Sequence, residues 1–350
     1  MALMQETLAA ATVNRAGVRW TPLALGSLLL AAVMLVAVAI GTVPLGPAEL
    51  LRGVWHGLIG EVTSTADVIV WQIRLPRVLL AALVGGALAL AGVAYQGIFR
   101  NPLADPYLLG VASGASLGAA VAITLGVSLT WVGRFGVPGL SFAFALLAVL
   151  VVLLMARRGN RIPVLSLILA GVVVGSTFTA ATSFLMLLTP ERTAGVLAWL
   201  LGSFSTAGWS AIVTIFPFLL LAALCTLLAG RTLNLLQLGD EQAAQLGVPV
   251  EAAKLLLIAV ATLATAAAVS VSGIIGFVGL LAPHAVRLAL GPDHRTLTPL
   301  AMLLGALVTV LADLLARTVI APAEIPIGVV TALVGGPFFL WLLRKQRNLL

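Results

Sequence analysis

Charge is scarce in this chain: only 9% of its residues are Asp, Glu, Lys or Arg, so the few clusters stand out. The densest is a polar island, residues 231–254, which holds Asp240, Glu241 and Glu251 among 12 acids in 350 residues. The only lysines are Lys254 and Lys345, preceded by Ala253 and Arg344. Neither fits Gly-x-x-x-x-Gly-Lys-Ser/Thr, so the chain has no P-loop, and any ATP drive must come from a partner. Cys225 is alone, which excludes an intrachain disulfide and a thiolate metal cluster. His56, His284 and His294 lack His-x-x-x-His spacing, so no catalytic or metal-ligating set is expected. Asp313 lies four residues before Arg317, on one helical face, and reads as a structural ion pair rather than a proton relay. Arg74 and Arg77 flank Pro76, and arginine suits a bidentate grip on carboxylates.

The elements that must position these groups are set by lipid. Hydrophobic residues make up 61% of the chain, and no soluble fold hides that much apolar surface. Apolar runs predict spans at 22–43, 78–98, 108–129, 137–156, 162–188, 208–229, 255–273, 274–290, 297–316 and 326–343. The seventh and eighth form one stretch that must be cut near Ser270-Val271-Ser272-Gly273. The first run reads as a retained span rather than a signal peptide. In 44–77, Leu50, Leu51, Val54 and Leu58 fit a helical face at the membrane interface. The net charge of +7 does not indicate nucleic acid, because the basic residues sit at span ends.

Ten spans put both termini on one side. With the termini in the cytoplasm, Arg15, Arg19, Arg100, Arg157, Arg158, Arg161, Arg231, Lys254, Arg287, Arg295, Arg344, Lys345 and Arg347 are inside. Arg52, Arg74, Arg77, Arg134, Arg192 and Arg317 are outside. That is 13 against 6, the sense of the positive-inside rule, and it makes the island cytoplasmic. Within the island, Gly239 ends a turn and Asp240 caps a short helix that Gly247 and Pro249 close. Ala243 and Ala244 offer a face that another protein could approach, although the segment also reads as an ordinary helical loop. Arg74 and Arg77 fit either docking of an acidic extracytoplasmic protein or anchoring to lipid phosphate. Asn101-Pro102-Leu103-Ala104-Asp105-Pro106 makes a rigid turn. Gly110, Ser113, Gly114, Ser116 and Gly118 then favour close helix packing over a lined path.

The island's acid-x-Ala-Ala-x-x-Gly resembles the segment by which ABC importer permeases dock on their ATPases. The chain also resembles the FecCD family of permeases for cobalamin, haem and ferric siderophores. The motifs are Trp-Gln-Ile-Arg-Leu-Pro-Arg at 71–77, Gln-Gly-Ile-Phe-Arg-Asn-Pro-Leu-Ala-Asp-Pro at 96–106 and Gly-Val-Ala-Ser-Gly-Ala at 110–115. Gly-Phe-Val-Gly-Leu-Leu-Ala-Pro-His at 276–284, Asp-His-Arg at 293–295, Ala-Asp-Leu-Leu-Ala-Arg at 312–317 and Glu-Ile-Pro-Ile-Gly-Val-Val-Thr-Ala at 324–332 follow.

The resemblance implies one all-α polytopic domain over 1–350, with a type II ABC importer permease fold. It implies a homodimer in a bacterial or archaeal cytoplasmic membrane, two ATPase subunits that carry ATP and Mg, and an extracytoplasmic substrate-binding protein. The chain itself would bind no cofactor. Binding-protein docking would fall on Arg74, Arg77 and Arg317. ATPase coupling would fall on Gly239, Asp240, Glu241, Ala243, Ala244 and Gly247. The cytoplasmic gate would fall on Asn101 and Leu103, with Val164 and Leu165 at a second constriction. These last two are apolar where the cobalamin member bears hydroxyls, which argues against carrying over its specificity. An ion-coupled secondary carrier is the alternative.

Overall fold

A computed structural model describes residues 19–41, 43–127, 133–159 and 161–347. Arg15 lies outside the described residues, as do the side chains of Arg134, Lys345 and Arg347. The helices are α1 Trp20–Ala39, α2 Pro47–Ile59, α3 Thr65–Phe99, α4 Val111–Thr124, α5 Gly133–Ala156, α6 Val164–Leu188 and α7 Thr193–Leu200. They continue as α8 Trp209–Leu228, α9 Gly230–Leu236, α10 Asp240–Gln245, α11 Val250–Ser272, α12 Val278–Leu290, α13 His294–Thr318 and α14 Ile327–Arg347. Among the described residues, 7 helices are long and apolar enough to cross a membrane, while the apolar parts of α4, α12 and α14 are shorter, at 10–17 residues. Each of the ten predicted spans overlaps one of these helices.

Two boundaries move for physical reasons. The predicted 274–290 span begins only at Val278, because Gly273 (φ 68°) and Phe277 (φ 68°) both turn left-handed and hold 273–277 out of helix. Non-helical backbone inside a bilayer must find partners in protein. Ser203 N donates to Ser272 O at 2.8 Å, and the Tyr107 hydroxyl donates to Ile275 O at 2.9 Å. The second boundary is the start of the predicted 78–98 span, since α3 begins at Thr65 and runs straight through Pro76. Residues Ile69–Arg74 form a wide π-helical stretch in which Leu75 N bonds Val70 O. We read this wider turn as what accommodates the proline ring, which would otherwise press on the preceding turn. Pro76 therefore sits inside a continuous helix rather than in a turn between the arginines.

α3 is the axis of the bundle, with every residue from Val84 to Phe99 buried. Lipid gives helices no hydrophobic reason to associate, so they need close backbone approach. A Cβ on Gly85 would overlap the Gly305 carbonyl of α13, and one on Gly92 would overlap the Gly279 carbonyl of α12. Across α11, the Tyr95 hydroxyl and Thr262 Oγ1 lie 2.9 Å apart. By contrast α1 buries only Ala37 and Val38, and leaves Leu25, Leu28 and Leu35 outward. In α2 the expected single apolar face is divided. Leu50 and Val54 pack on the core, whereas Leu51, Trp55 and Leu58 are 75%, 61% and 66% exposed.

The axis makes a paired prediction. Gly85→Ala places a methyl on backbone and should destabilise the detergent-solubilised protein by about 1–3 kcal/mol. Gly86→Ala meets only Met302 O at 3.5 Å. It should be neutral or gain up to about 1 kcal/mol from helix propensity. Thermal unfolding of the two variants side by side checks the contrast.

Candidate functional site

The regular part of α3, Leu75–Phe99, is 25 residues long. At 1.5 Å per residue that is about 37 Å, enough to separate two polar ends across a bilayer. One end carries Arg74 and Arg77, and the other carries Arg100 and the island. α13 runs the opposite way and brings Arg317 to the arginine end and Asp293 to the island end.

The arginine end gathers Arg74, Arg77 and Arg317 as one cluster, with its guanidiniums turned inward. Arg77 grips two carboxylates. Its Nη2 and Nε donate to Asp313 Oδ1 at 2.9 and 3.0 Å, and its Nη1 and Nη2 donate to Glu324 Oε1 and Oε2 at 2.7 and 2.9 Å. Arg317 Nη2 donates to Ala37 O at 2.5 Å, and its Nε lies 3.6 Å from Asp313 Oδ2. Arg74 Nη1 donates to Val38 O at 3.1 Å and Ala39 O at 2.8 Å, and its Nη2 donates to Val43 O. The last carbonyls of α1 have no helical partners, and these two arginines supply them. All three arginines are at most 9% exposed. The expected Asp313–Arg317 pair is thus part of a larger buried network. Glu324 is the group that reading the sequence left without a role, and its side chain is 38% exposed.

At the island end, α9 is bolted to the bundle. Leu233 and Leu236 are buried, Gln237 Nε2 donates to Gly97 O at 3.0 Å, and Asn234 Nδ2 donates to Asp293 Oδ1 at 2.7 Å. α10 follows with Gly239 at φ 114°, a backbone that favours glycine. Gly239, not Asp240, occupies the cap position. Asp240 is the first helical residue, and its carboxylate turns sideways to Lys254 Nζ at 2.5 Å. Gly247 closes the helix at φ 86° as expected. The expected Ala243–Ala244 face is split, because α10 is pressed against the bundle on one side. Ala243 is buried and only Ala244 faces out, beside Glu241 and Leu246.

The two segments expected to form the gate both reach the island. Arg100 ends α3 at φ 50°, and its Nη2 lies 3.8 Å from Asp240 Oδ1. The next residue, Asn101, is exposed, and its Oδ1 accepts from Leu103 N at 2.9 Å. Val164 and Leu165 open α6, and just before them Ile162 N donates to Glu251 Oε2 at 2.7 Å. Between α4 and α6 runs a groove of about 920 Å³, lined by Ser113, Ser116, Gly175, Ser176, Thr179 and Thr182 among others. The small residues of α4 therefore divide by face. Gly114 and Gly118 pack on α5, while Ser113 and Ser116 line the groove. Those serines, like Thr182, donate back to their own helix, with Ser116 Oγ to Ala112 O at 2.7 Å.

The FecCD transport family model matches residues 28–345 of this chain. The hemin transport system permease protein of Yersinia pestis is 42% identical over 90% of this chain and 94% of its own. The cobalamin import system permease protein of Halobacterium salinarum is 45% identical over 81% and 76% respectively. A solved structure described as an inward-facing conformation of a provisionally assigned metal-chelate type ABC transporter superposes with a TM-score of 0.83. It is 35% identical and covers 93% of this chain and all of its own.

The arginine end has a pH signature. Hydrogen bonds from Arg77 hold the Glu324 carboxyl below its ordinary value of 4.5. A carboxylate depressed in the folded state stabilises above its unfolded value, and that contribution is lost as pH falls through the folded one. Wild-type thermal stability should therefore fall more steeply below about pH 4.5 than that of Glu324→Gln, as pH-dependent melting in detergent would show. At neutral pH, Arg77→Ala leaves the buried Asp313 only its 3.6 Å contact with Arg317 and should cost about 3–5 kcal/mol.

Proposed function

The chain belongs to the FecCD transport family, and from that premise we propose that it is the membrane-spanning permease subunit of an ATP-driven importer for a large metal chelate. The observation that carries the proposal is the island. A chain without a P-loop presents a short helix, with Glu241, Ala244 and Leu246 outward, whose Asp240 meets Arg100 and meets Lys254 of α11, the helix whose Glu251 accepts from Ile162 N. Such an element suits transmission of force from a soluble motor. The motor would be a pair of ATPase subunits carrying ATP and Mg, seated on α10 around Asp240, Glu241 and Ala244. Both termini and the island would face the cytoplasm of a bacterial or archaeal cell.

Two copies of the chain would place their α4–α6 grooves face to face and enclose the path. α6 supports this reading, since it leaves Leu165, Val172 and Leu187 uncovered in one subunit. An extracytoplasmic binding protein would dock at the arginine end. Because Arg77 already holds Glu324, an acid on that protein would take Glu324's place at Nη1 rather than meet a bare arginine. Ferric siderophores are the first choice of cargo because they are the broadest group, with haem and cobalamin beside them. The groove carries no fixed charge among its lining residues that would select one of them.

Co-purification with an ATPase, and ATP-dependent uptake into vesicles supplied with the binding protein, test the proposal directly. Uptake that ignores ATP would favour an ion-coupled carrier instead. Replacing Asp240 and Glu241 by Ala should lower uptake per ATP hydrolysed by on the order of tenfold. Normal coupling in that variant would refute the assignment of α10. Arg77→Glu should weaken binding-protein affinity by on the order of tenfold or more. Unchanged affinity would remove Arg77 from the docking surface.

A further inference from the structure

We propose that Lys254 is the positioning residue that makes both gate turns follow α10 as one body. The inference rests on the importer reading above and adds a component to it, a hub between the ATPase-facing helix and the second gate turn. The ammonium of Lys254 is buried, with a side chain only 3% exposed, and a buried charge must be paired. It has two carboxylates. Asp240 Oδ2 of α10 is 2.5 Å away, and Glu251 Oε1, one turn earlier on α11, is 4.0 Å away.

Each carboxylate has a second partner, and each of those partners belongs to a gate turn. Asp240 Oδ1 faces Arg100, the residue before Asn101. Glu251 Oε2 accepts from Ile162 N, two residues before Val164. The chain of contacts therefore runs Arg100, Asp240, Lys254, Glu251, Ile162, and it crosses four separate segments of the fold. Its charges balance, with two cations and two anions. Its other charged members are more exposed, at 43% for Arg100, 42% for Asp240 and 32% for Glu251, so Lys254 is its only buried charge.

Lysine suits this place, because a compact ammonium with three rotatable donors can face two carboxylates from different helices. Without Lys254, Asp240 keeps its long contact to Arg100 and Glu251 keeps Ile162 N, but the two arms share no atom. Motion of α10 would then reach the Asn101 turn and stop there.

The lone Cys225 makes the test practical, because its removal as Cys225→Ser leaves a cysteine-free background. Spin labels on Asn101→Cys or on Leu165→Cys, both exposed positions, report each gate turn across the reconstituted dimer with its ATPase and binding protein. In the parent complex both label distances should shift on adding a non-hydrolysable ATP analogue. Lys254→Met should abolish the Leu165 shift, keep the Asn101 shift, and lower uptake per ATP by on the order of tenfold. Glu251→Ala, which leaves the Lys254–Asp240 pair in place, should reproduce the same split. Both shifts persisting together in Lys254→Met overturns the proposal, and so does their joint loss along with ATPase association, which marks a purely structural lysine. Should Lys254→Met fail to assemble, a retained Leu165 shift in Glu251→Ala overturns it alone. A parent complex that neither binds an ATPase nor moves its labels overturns the importer reading itself, and this inference with it.

Discussion

The structure hangs on the contact between α3 and its neighbours at Gly85, Gly305, Gly92 and Gly279. Lipid supplies no hydrophobic force to gather helices, so backbone must touch backbone where side chains are absent. That contact buries α3 without interruption from Val84 to Phe99 and makes it a strut of fixed length. The two charged clusters then lie at the ends of the strut. The arginine network closes one end over the last carbonyls of α1, and the island closes the other against Gly97 and Arg100.

The two ends solve the problem of charge differently. At the arginine end the cations are buried and one acid, Glu324, lies at the rim. The network holds three cations and two anions, an excess of one positive charge. At the island end the arrangement is inverted, with one buried cation and two carboxylates at the rim. The first suits a site that exchanges a partner. The second suits a joint whose members stay together while the joint moves.

Much of this could be read from residue order alone. The apolar runs gave the spans, because lipid permits few alternatives to helix, and Ser272–Gly273 marked the break that left-handed φ values impose. The island and its closing glycines were also legible from their polarity and turn chemistry. Facing was less so. Ala243 and Ala244 look alike in sequence, and only packing against the bundle decides that the first is inside. Pro76 suggested a turn, and a wider helical turn absorbed it. Lys254 was visible as one of two lysines, yet its partners lie 14 residues away at Asp240 and, through Glu251, 92 residues away at Ile162. No local pattern encodes contacts of that kind.

The serines and threonines of the α4–α6 groove have one more consequence. Each one that donates to its own helix keeps lone pairs for a passenger but withholds its proton. Those hydroxyls can accept hydrogen bonds but do not donate them, and they grip no particular shape. Every 1.4 kcal/mol of extra hold would lengthen a passenger's stay about tenfold. On the importer proposal the groove would act as a low-friction lining, in which rapid clearance is favoured over recognition, and dissimilar bulky molecules would traverse it with similar dwell times.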